Sequence, residues 1–302
     1  MSWRSIYISE SEKLSLYLDS LSIRKDETDY KIPLKDIGTI VVENNKTIFT
    51  LKILNKFIEY GITLITCDDE HNPCGMLVPT NFHSRQYKIV TKQISWLEVE
   101  KNEIWKEIVI QKLINQREVL IKLNKNIEVI KKMTLYIESV EIGDITNREG
   151  IGAGLYFREL YGKGFKRRVT EDIMNSALNY GCTILTSKIS RIISGRGLLT
   201  YIGIHHKNEY NQFNLSCDLV EAFRPIVDYY ICEKLLEAEY FSKEHRIELV
   251  NLLNSKINYL GKKEFVSNVM EKFVDIVVNF FETGESLKGR VPNLETLELY
   301  EL

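Results

Sequence analysis

The spacing of apolar residues changes near residue 80 of this 302-residue chain. Before that point, residues 37–42 and 62–66 are rich in β-branched side chains, a pattern that is typical of strands. Beyond it, Ile104, Ile108 and Val109 recur at three- and four-residue spacing with Lys and Glu between them, as in an amphipathic helix. The sequence therefore predicts an α+β protein, in which a small N-terminal β-rich domain precedes a larger all-α C-terminal domain.

Turn-forming residues mark the predicted boundary. Residues 68–75 and 79–84 form a polar break rich in Asp, Asn, Pro and Gly. A chain of this length can build two cores. We predict a β domain over 1–85, a linker over 86–95 and a helical domain over 96–302.

Two local features refine this organisation. One helix is predicted within the β domain, over residues 50–60, because Leu51, Leu54 and Phe57 share a face and Gly61 is an expected stop. Residues 292–302, at the other end of the chain, are interpreted as a polar tail.

Composition limits the class of protein. The first residues lack the basic start and apolar run of a secretory signal, and no apolar stretch reaches the roughly 20 residues that cross a bilayer. We therefore expect a cytoplasmic protein without membrane contact. Five cysteines without a CxxC pair favour reduced thiols over a disulfide frame or a zinc knuckle. The net charge of -2 argues against wrapping nucleic acid with the whole surface, but it leaves room for a local basic patch.

Three short segments in the helical half combine carboxylate and imidazole side chains. Glu149 precedes a run of small residues, His205 and His206 are adjacent, and Asp218 and Glu221 are three residues apart, a spacing that shares one helix face. Oxygen ligands with one imidazole suit a hard divalent ion such as Mg²⁺ or Mn²⁺ better than a closed zinc site. Such an ion can polarise a phosphodiester and help generate an oxygen nucleophile.

Each segment also has a structural explanation. Glu149 can simply stabilise the positive end of a helix dipole, and a lone histidine is more often structural than a ligand. Asp218 and Glu221 can form a solvated acidic face that pairs with Arg224, although their apolar neighbours predict partial burial, which would require a cation, a metal or hydrogen bonds. Pro225 then forces either a kink or a helix start.

Two basic clusters are candidates for contact with DNA phosphates. The denser one is interleaved with aromatic residues, as a DNA groove or a single-stranded end requires. It comprises Lys163, Lys166, Arg167 and Arg168. A weaker candidate comprises Lys188, Arg191 and Arg196. A solvated helix end, offset by Glu171 and Asp172, explains the first cluster equally well.

Taken in order, these segments resemble those of the CRISPR-associated integrases, nuclease-fold proteins that insert new spacers into CRISPR arrays. The resemblance covers nearly the whole chain and is most specific in residues 214–225, Asn-Leu-Ser-Cys-Asp-Leu-Val-Glu-Ala-Phe-Arg-Pro. It also includes Trp3-Arg4, residues 31–34, Cys67-Asp68, Asn72-Pro73, residues 175–181 and residues 203–206. The details are most similar to the subtype that accompanies the single-protein RNA-guided effector nuclease.

The resemblance implies a set of site residues in a C-terminal catalytic domain. The family binds its divalent ion, Mg²⁺ or Mn²⁺, through a glutamate, a histidine and a further acidic residue. By motif, these catalytic and metal-binding positions are Glu149, His206 and Glu221. His206 is preferred to His205 because the histidine of the family is third after a glycine, here Gly203. Asp218 and His205 are then expected beside the ligands, with Asp218 orienting them or a metal-bound water.

The resemblance also implies a reaction and an assembly. The 3′-hydroxyl of a captured double-stranded fragment would attack a phosphodiester at a CRISPR repeat beside the leader, and water in its place would give endonuclease activity. A homodimer formed through the β domains would associate with a small ferredoxin-like CRISPR-associated partner, and other adaptation proteins and the effector nuclease are further candidate partners. Two alternatives stay open: a stand-alone metal-dependent nuclease acting on branched or single-stranded DNA, and a non-catalytic assembly scaffold.

Overall fold

The computed structural model describes residues 4–10, 13–25, 28–77, 84–167 and 172–300. The N-terminal part contains β1 (Arg4–Ile8), β2 (Leu14–Tyr17), β3 (Ser20–Lys25), β4 (Thr28–Pro33), β5 (Ile37–Val42), α1 (Leu51–Tyr60), β6 (Thr63–Cys67) and β7 (Pro73–Met76). The remainder contains α2 (Gln86–Ile94), α3 (Glu98–Lys122), α4 (Ile127–Glu138), α5 (Arg148–Tyr161), α6 (Ile173–Gly195), α7 (Asn214–Val220), α8 (Pro225–Lys234), α9 (Lys243–Asn251), β8 (Lys256–Tyr259), β9 (Lys262–Phe265) and α10 (Val266–Thr283).

The N-terminal part is built from two small sheets. One has the strand order β1-β5-β6-β7, with the first three strands parallel and β7 antiparallel to β6; the other is the antiparallel sheet β2-β3-β4. The predicted helix is α1, whose start is capped by the Thr50 side chain and which ends at Gly61 in the left-handed conformation, with φ of 71°. The β-rich prediction for this region is confirmed.

The C-terminal part is mostly helical, as predicted, with two departures from the expected pattern. The predicted linker 86–95 is largely occupied by α2, and a β8–β9 hairpin lies between α9 and α10. The polar-tail interpretation of residues 292–302 is wrong for its described part, because Leu294 and Leu297 are buried in the core. Within the described ranges, no helix is both long enough and apolar enough to cross a membrane.

The two parts share a hydrophobic core. Val41, Ile65 and Cys67 of the four-stranded sheet belong to the same buried cluster as Trp105 of α3 and most apolar residues of the later helices. A second cluster lies between the two sheets and α1. One face of the sheet therefore fixes the position of the helices that carry the predicted site.

Candidate active site

Glu149 lies in the first turn of α5, on the side of that helix that meets α3. Asn147 is the N-cap residue and accepts a hydrogen bond from the Gly150 N–H, while the Asp144 carboxylate accepts from the Glu149 N–H at 3.0 Å. A Cβ at Gly152 would lie 2.4 Å from a methyl group of Leu113, so α5 packs directly on α3. Of the small residues after Glu149, Gly152 therefore serves close helix contact and brings the start of α5 to α3.

The Asp218 carboxylate organises the segment that contains His206. It is completely buried and accepts hydrogen bonds from the N–H groups of Ile204 at 2.6 Å, His205 at 3.1 Å and His206 at 3.0 Å. Its Oδ1 also lies 2.6 Å from His206 Nδ1. This contact raises the pKa of His206, against the lowering effect of burial. A ligand can then bind this ring only through Nε2.

Glu221 directly follows α7 and is 3% exposed. Its Oε1 lies 3.0 Å from an Arg224 guanidinium nitrogen, so the predicted pairing with Arg224 is present, while the solvated acidic face is not. Burial by itself would raise the pKa of Glu221, but the charges of Arg224 and Lys112 hold it below its ordinary value. Pro225 is the first residue of α8, so it begins a helix rather than kinking one.

Lys112 completes the cluster and was not predicted from the sequence. Its ammonium contacts Glu149 Oε1 and lies 2.5 Å from Glu221 Oε2, while its side chain is only 7% exposed. Burial by itself would lower the pKa of Lys112, but the two carboxylates raise it above its ordinary value. The structure thus brings two of the three predicted ligands together on one cation. His206 is near enough for its charge to lower the pKa of Glu221.

This donor set fits a hard divalent ion in chemistry, although its present arrangement is that of an ion-pair cluster. Among the residues that the structure describes, no three His, Cys, Asp or Glu side chains are gathered as metal ligands. Glu149 and Glu221 instead share the Lys112 ammonium. Carboxylate oxygens and an imidazole nitrogen are ligand types that bind Mg²⁺ and Mn²⁺. Here two carboxylates converge on one positive charge, and an imidazole lies beside them.

His205 has a packing contact of its own. Its ring stacks on Trp105 at 4.1 Å between centroids, with only 2° between the planes, and burial lowers its pKa. The Trp105 ring also meets His206 edge-on at 5.8 Å. His205 therefore supports the segment that holds His206, while its own ring is turned onto the indole.

The first basic cluster is partly organised around a cavity of about 440 Å³ beside α6. Arg167 lines this cavity and donates hydrogen bonds to Asn175 Oδ1 at 3.2 Å and Asn179 Oδ1 at 2.8 Å. Arg224, the partner of Glu221, lines the same cavity. Lys163 and Lys166 are exposed nearby in sequence. Arg168 lies outside the described residues.

The side chains of the second basic cluster are engaged in contacts within the fold. Lys188 is 3% exposed and bound to Glu271 at 3.2 Å, and burial lowers its pKa, so the prediction that it contacts DNA is wrong. Arg191 is partly buried, and its guanidinium packs so closely on Gly61 that a Cβ there would lie 1.9 Å from it. Its contact with DNA stays a prediction. Arg196 forms a bidentate ion pair with the Asp275 carboxylate, with N–O distances of 2.6 and 2.9 Å. These side chains hold the fold together.

Comparisons with known proteins agree with this architecture. Residues 6–271 match a family described as CRISPR associated protein Cas1. The chain is 33% identical to a CRISPR-associated endonuclease Cas1 of Neisseria meningitidis, over 100% of this chain and 99% of that protein. It is 27% identical to a similarly named protein of Francisella tularensis subsp. novicida, over 81% and 82% of the two chains.

Solved structures show the same fold at lower identity. A casposase bound to integration product superposes with a TM-score of 0.77 at 20% identity, covering 100% of this chain and 95% of that one. A Cas6-RT-Cas1–Cas2 complex gives a TM-score of 0.73 at 18% identity, covering 96% of this chain and 36% of that chain.

Proposed function

Because this chain belongs to the CRISPR-associated Cas1 family, we propose that it is a DNA integrase and endonuclease of CRISPR adaptation. The 3′-hydroxyl of a captured DNA fragment attacks the phosphorus of a phosphodiester at the edge of a CRISPR repeat, and the 3′-oxygen of the target strand leaves as the P–O3′ bond breaks. Water in place of the 3′-hydroxyl cleaves the DNA. The single observation that carries the proposal is the convergence of Glu149 and Glu221 on one cation near His206. These three residues come from remote segments whose motifs resemble the family's metal ligands.

Glu149, His206 and Glu221 are the residues that would hold Mg²⁺ or Mn²⁺. When bound, such an ion supplies charge stabilisation at the phosphoryl oxygens and lowers the pKa of an attacking hydroxyl or water. Asp218 fixes the His206 ring through Nδ1 and so directs Nε2 toward whatever the ring binds. Arg224 neutralises one Glu221 oxygen and carries a positive charge into the neighbouring cavity.

That cavity is proposed to receive the DNA backbone. Arg167 and Arg224 line it, and two guanidinium groups in one depression favour a phosphodiester. Lys163 and Lys166 would extend the contact along the strand. Such contacts position the backbone and carry little base readout, so they fit an enzyme that accepts fragments of many sequences.

The proposed assembly is a homodimer that works with a small ferredoxin-like subunit and other adaptation proteins. Support comes from a solved structure with the same fold, a Cas6-RT-Cas1–Cas2 complex. The near-neutral net charge also suits a protein that grips DNA along a surface shared by several subunits.

Insertion of a short duplex into a repeat-bearing plasmid tests the proposal. Glu149→Ala, His206→Ala and Glu221→Ala are each expected to lower insertion by roughly a hundredfold, the upper range for removal of groups around a metal. Glu128→Gln is a matched control, because this carboxylate is exposed on α4 and pairs with Lys131 at the surface. Wild-type insertion by all three alanine variants would remove the proposal.

Two further arms separate the alternatives. A duplex with 3′-deoxy ends should block insertion, whereas cleavage of branched DNA that ignores both this change and the partner subunit would identify a stand-alone nuclease. Calorimetric titration with Mn²⁺, with and without DNA, tests the alternative that the protein is a non-catalytic assembly scaffold. Absence of any binding that depends on Glu149 and Glu221 would favour that alternative.

A further inference from the structure

We propose that Lys112 is an internal counter-cation of the active site, which holds Glu149 and Glu221 together until a divalent ion displaces it. The inference rests on the proposed function, because it concerns the ion that these carboxylates would bind. It goes further by giving a role to a residue on α3, outside the three segments that carry the predicted ligands.

The contacts of Lys112 support this role. The ammonium reaches a glutamate in the first turn of α5 and another that directly follows α7, so one side chain from α3 joins the two segments. The side chain is nearly inaccessible to solvent, and Arg224 occupies the other oxygen of Glu221. Lys112 thus takes the place between the carboxylates that a bound cation would need.

The charges of the cluster make coexistence with a divalent ion unfavourable. Glu149 and Glu221 carry two negative charges, and Lys112 and Arg224 already balance them. An ion bound between the same carboxylates would place two more positive charges beside the ammonium in a region largely removed from water, where like charges repel strongly. Only molecules in which Lys112 has left the site can bind the ion. The apparent association constant is therefore the intrinsic constant multiplied by the fraction of such molecules.

Mn²⁺ binding by wild-type protein and by Lys112→Met, without DNA, tests the inference. Methionine keeps the length and apolar stem of the side chain and removes the charge. We expect the variant to melt at a lower temperature without metal, to bind Mn²⁺ roughly tenfold more tightly, and to gain more thermal stability from Mn²⁺ than wild type does.

Lys188→Met is the matched control. Lys188 is equally buried, lies on α6 and binds the single carboxylate of Glu271. Its replacement is expected to lower stability without changing Mn²⁺ affinity. Weaker or unchanged Mn²⁺ binding by Lys112→Met, relative to wild type, would overturn the inference, because a group that competes with the ion cannot leave affinity the same when removed.

A second measurement covers the case in which Lys112→Met does not fold. In wild-type protein labelled with ¹⁵N-lysine, an ammonium held by two buried carboxylates should give a slowly exchanging Nζ signal, assigned by its loss in Lys112→Arg. Mg²⁺ is expected to abolish or shift that signal and to leave the Lys188 signal unchanged. A Lys112 signal unaffected by saturating Mg²⁺ would contradict the inference. No Mg²⁺ or Mn²⁺ binding at all by wild type would instead count against the proposed function.

Discussion

At the scale of single residues, the conformation of segment 203–206 depends on the close approach of its backbone to Asp218. A Cβ at Gly203 would lie 2.3 Å from the His206 carbonyl oxygen and 2.8 Å from Asp218 Oδ2, so only glycine fits there. The three N–H groups that follow then turn toward one carboxylate. Loss of the Asp218 carboxylate is therefore expected to break all of these hydrogen bonds together, because each N–H group donates to the same side chain.

Asp218→Asn tests this arrangement. The amide offers one acceptor oxygen and places a donor group against buried N–H groups, so unpaired donors should lower the free energy of unfolding by about 2–4 kcal/mol. The pKa of His206, which the Asp218 contact raises, should fall. Urea denaturation and NMR titration of the imidazole measure the two effects. Asp275→Asn, at an exposed ion pair, serves as the control and should leave the His206 pKa unchanged.

Asp228 makes the stability of the protein depend on pH. Burial raises its pKa from 3.8 to about 7, although the neighbouring Tyr156 hydroxyl lowers it. The folded state therefore holds this proton more tightly than the unfolded state does. The resulting stabilisation is full below about pH 4 and is lost as the pH rises through about 7, a change of about 4 kcal/mol for three pKa units.

Urea denaturation of wild type and Asp228→Asn between pH 4 and pH 8 checks this expectation. The variant should gain stability relative to wild type as the pH rises, because asparagine has no charge to bury. Glu237→Gln, at an exposed carboxylate just beyond α8, should keep a constant difference from wild type over this range. A constant difference for Asp228→Asn as well would show that this carboxyl does not titrate in that window.

At the scale of elements, α3 joins the site to the end of the chain through buried polar side chains. Asn115 is completely buried; its amide nitrogen donates to the carbonyl oxygens of Ala222 at 2.7 Å and Pro292 at 2.9 Å, and its oxygen accepts from the Leu294 N–H at 3.1 Å. One side chain thus ties α3 to the turn after Glu221 and to the C-terminal segment.

Asn115→Ala is expected to lower the free energy of unfolding by about 3 kcal/mol, since it leaves several buried backbone groups without this partner. Asn45→Ala is the control, because Asn45 bonds Asp69 at the surface, and its loss should cost about 0.5 kcal/mol or less. Urea denaturation compares the two variants. Equal effects would mean that the bonds of Asn115 add nothing to the core.

The elements that the sequence predicted well have a local signal. For α1, the apolar face, the Thr50 cap and Gly61 all lie within a few residues of one another. By contrast, α2 has one buried residue, Gln93, whose amide bonds the backbone of Leu199 and Ile202 more than 100 positions away. Tertiary contacts of that kind leave no periodic pattern of apolar residues in the sequence, so this segment was predicted to be a linker.

The same distinction applies to the site. The pairing of Glu221 with Arg224 was predictable because the two are three residues apart. Lys112 lies in a mostly apolar stretch of α3, residues 108–114, but a lysine in such a stretch can bury its stem and still extend its ammonium to solvent. Only the packing of α5 and α7 on α3 shows that its ammonium is buried, and Lys188 was misinterpreted for the same reason.

At the scale of the whole molecule, the β-rich and helical parts are joined by an ion pair as well as by the shared core. Glu43, which follows β5, is 4% exposed and lies 2.5 Å from the Nε of Arg246 on α9. The same nitrogen donates to the Tyr7 hydroxyl at 3.2 Å, and burial raises the pKa of Tyr7. His71 lies 3.4 Å from the Glu43 carboxylate. A buried pair between two parts should make them unfold together.

Arg246→Met tests this coupling, because it leaves the Glu43 carboxylate buried beside Tyr7 without its strongest partner. We expect a loss of about 3 kcal/mol or more, typical of a buried ion pair from which one member is removed. Lys263→Met is the control, since its pair with Glu298 is half exposed and should contribute at most about 1 kcal/mol. In a Trp3→Phe background, tryptophan fluorescence reports on Trp96 and Trp105 in the helical part. This signal and far-ultraviolet circular dichroism should give one coincident transition, shifted to lower urea by Arg246→Met. Separate transitions in wild type would contradict the coupling, because the sheet would then unfold without the helices that carry Glu149, His206 and Glu221.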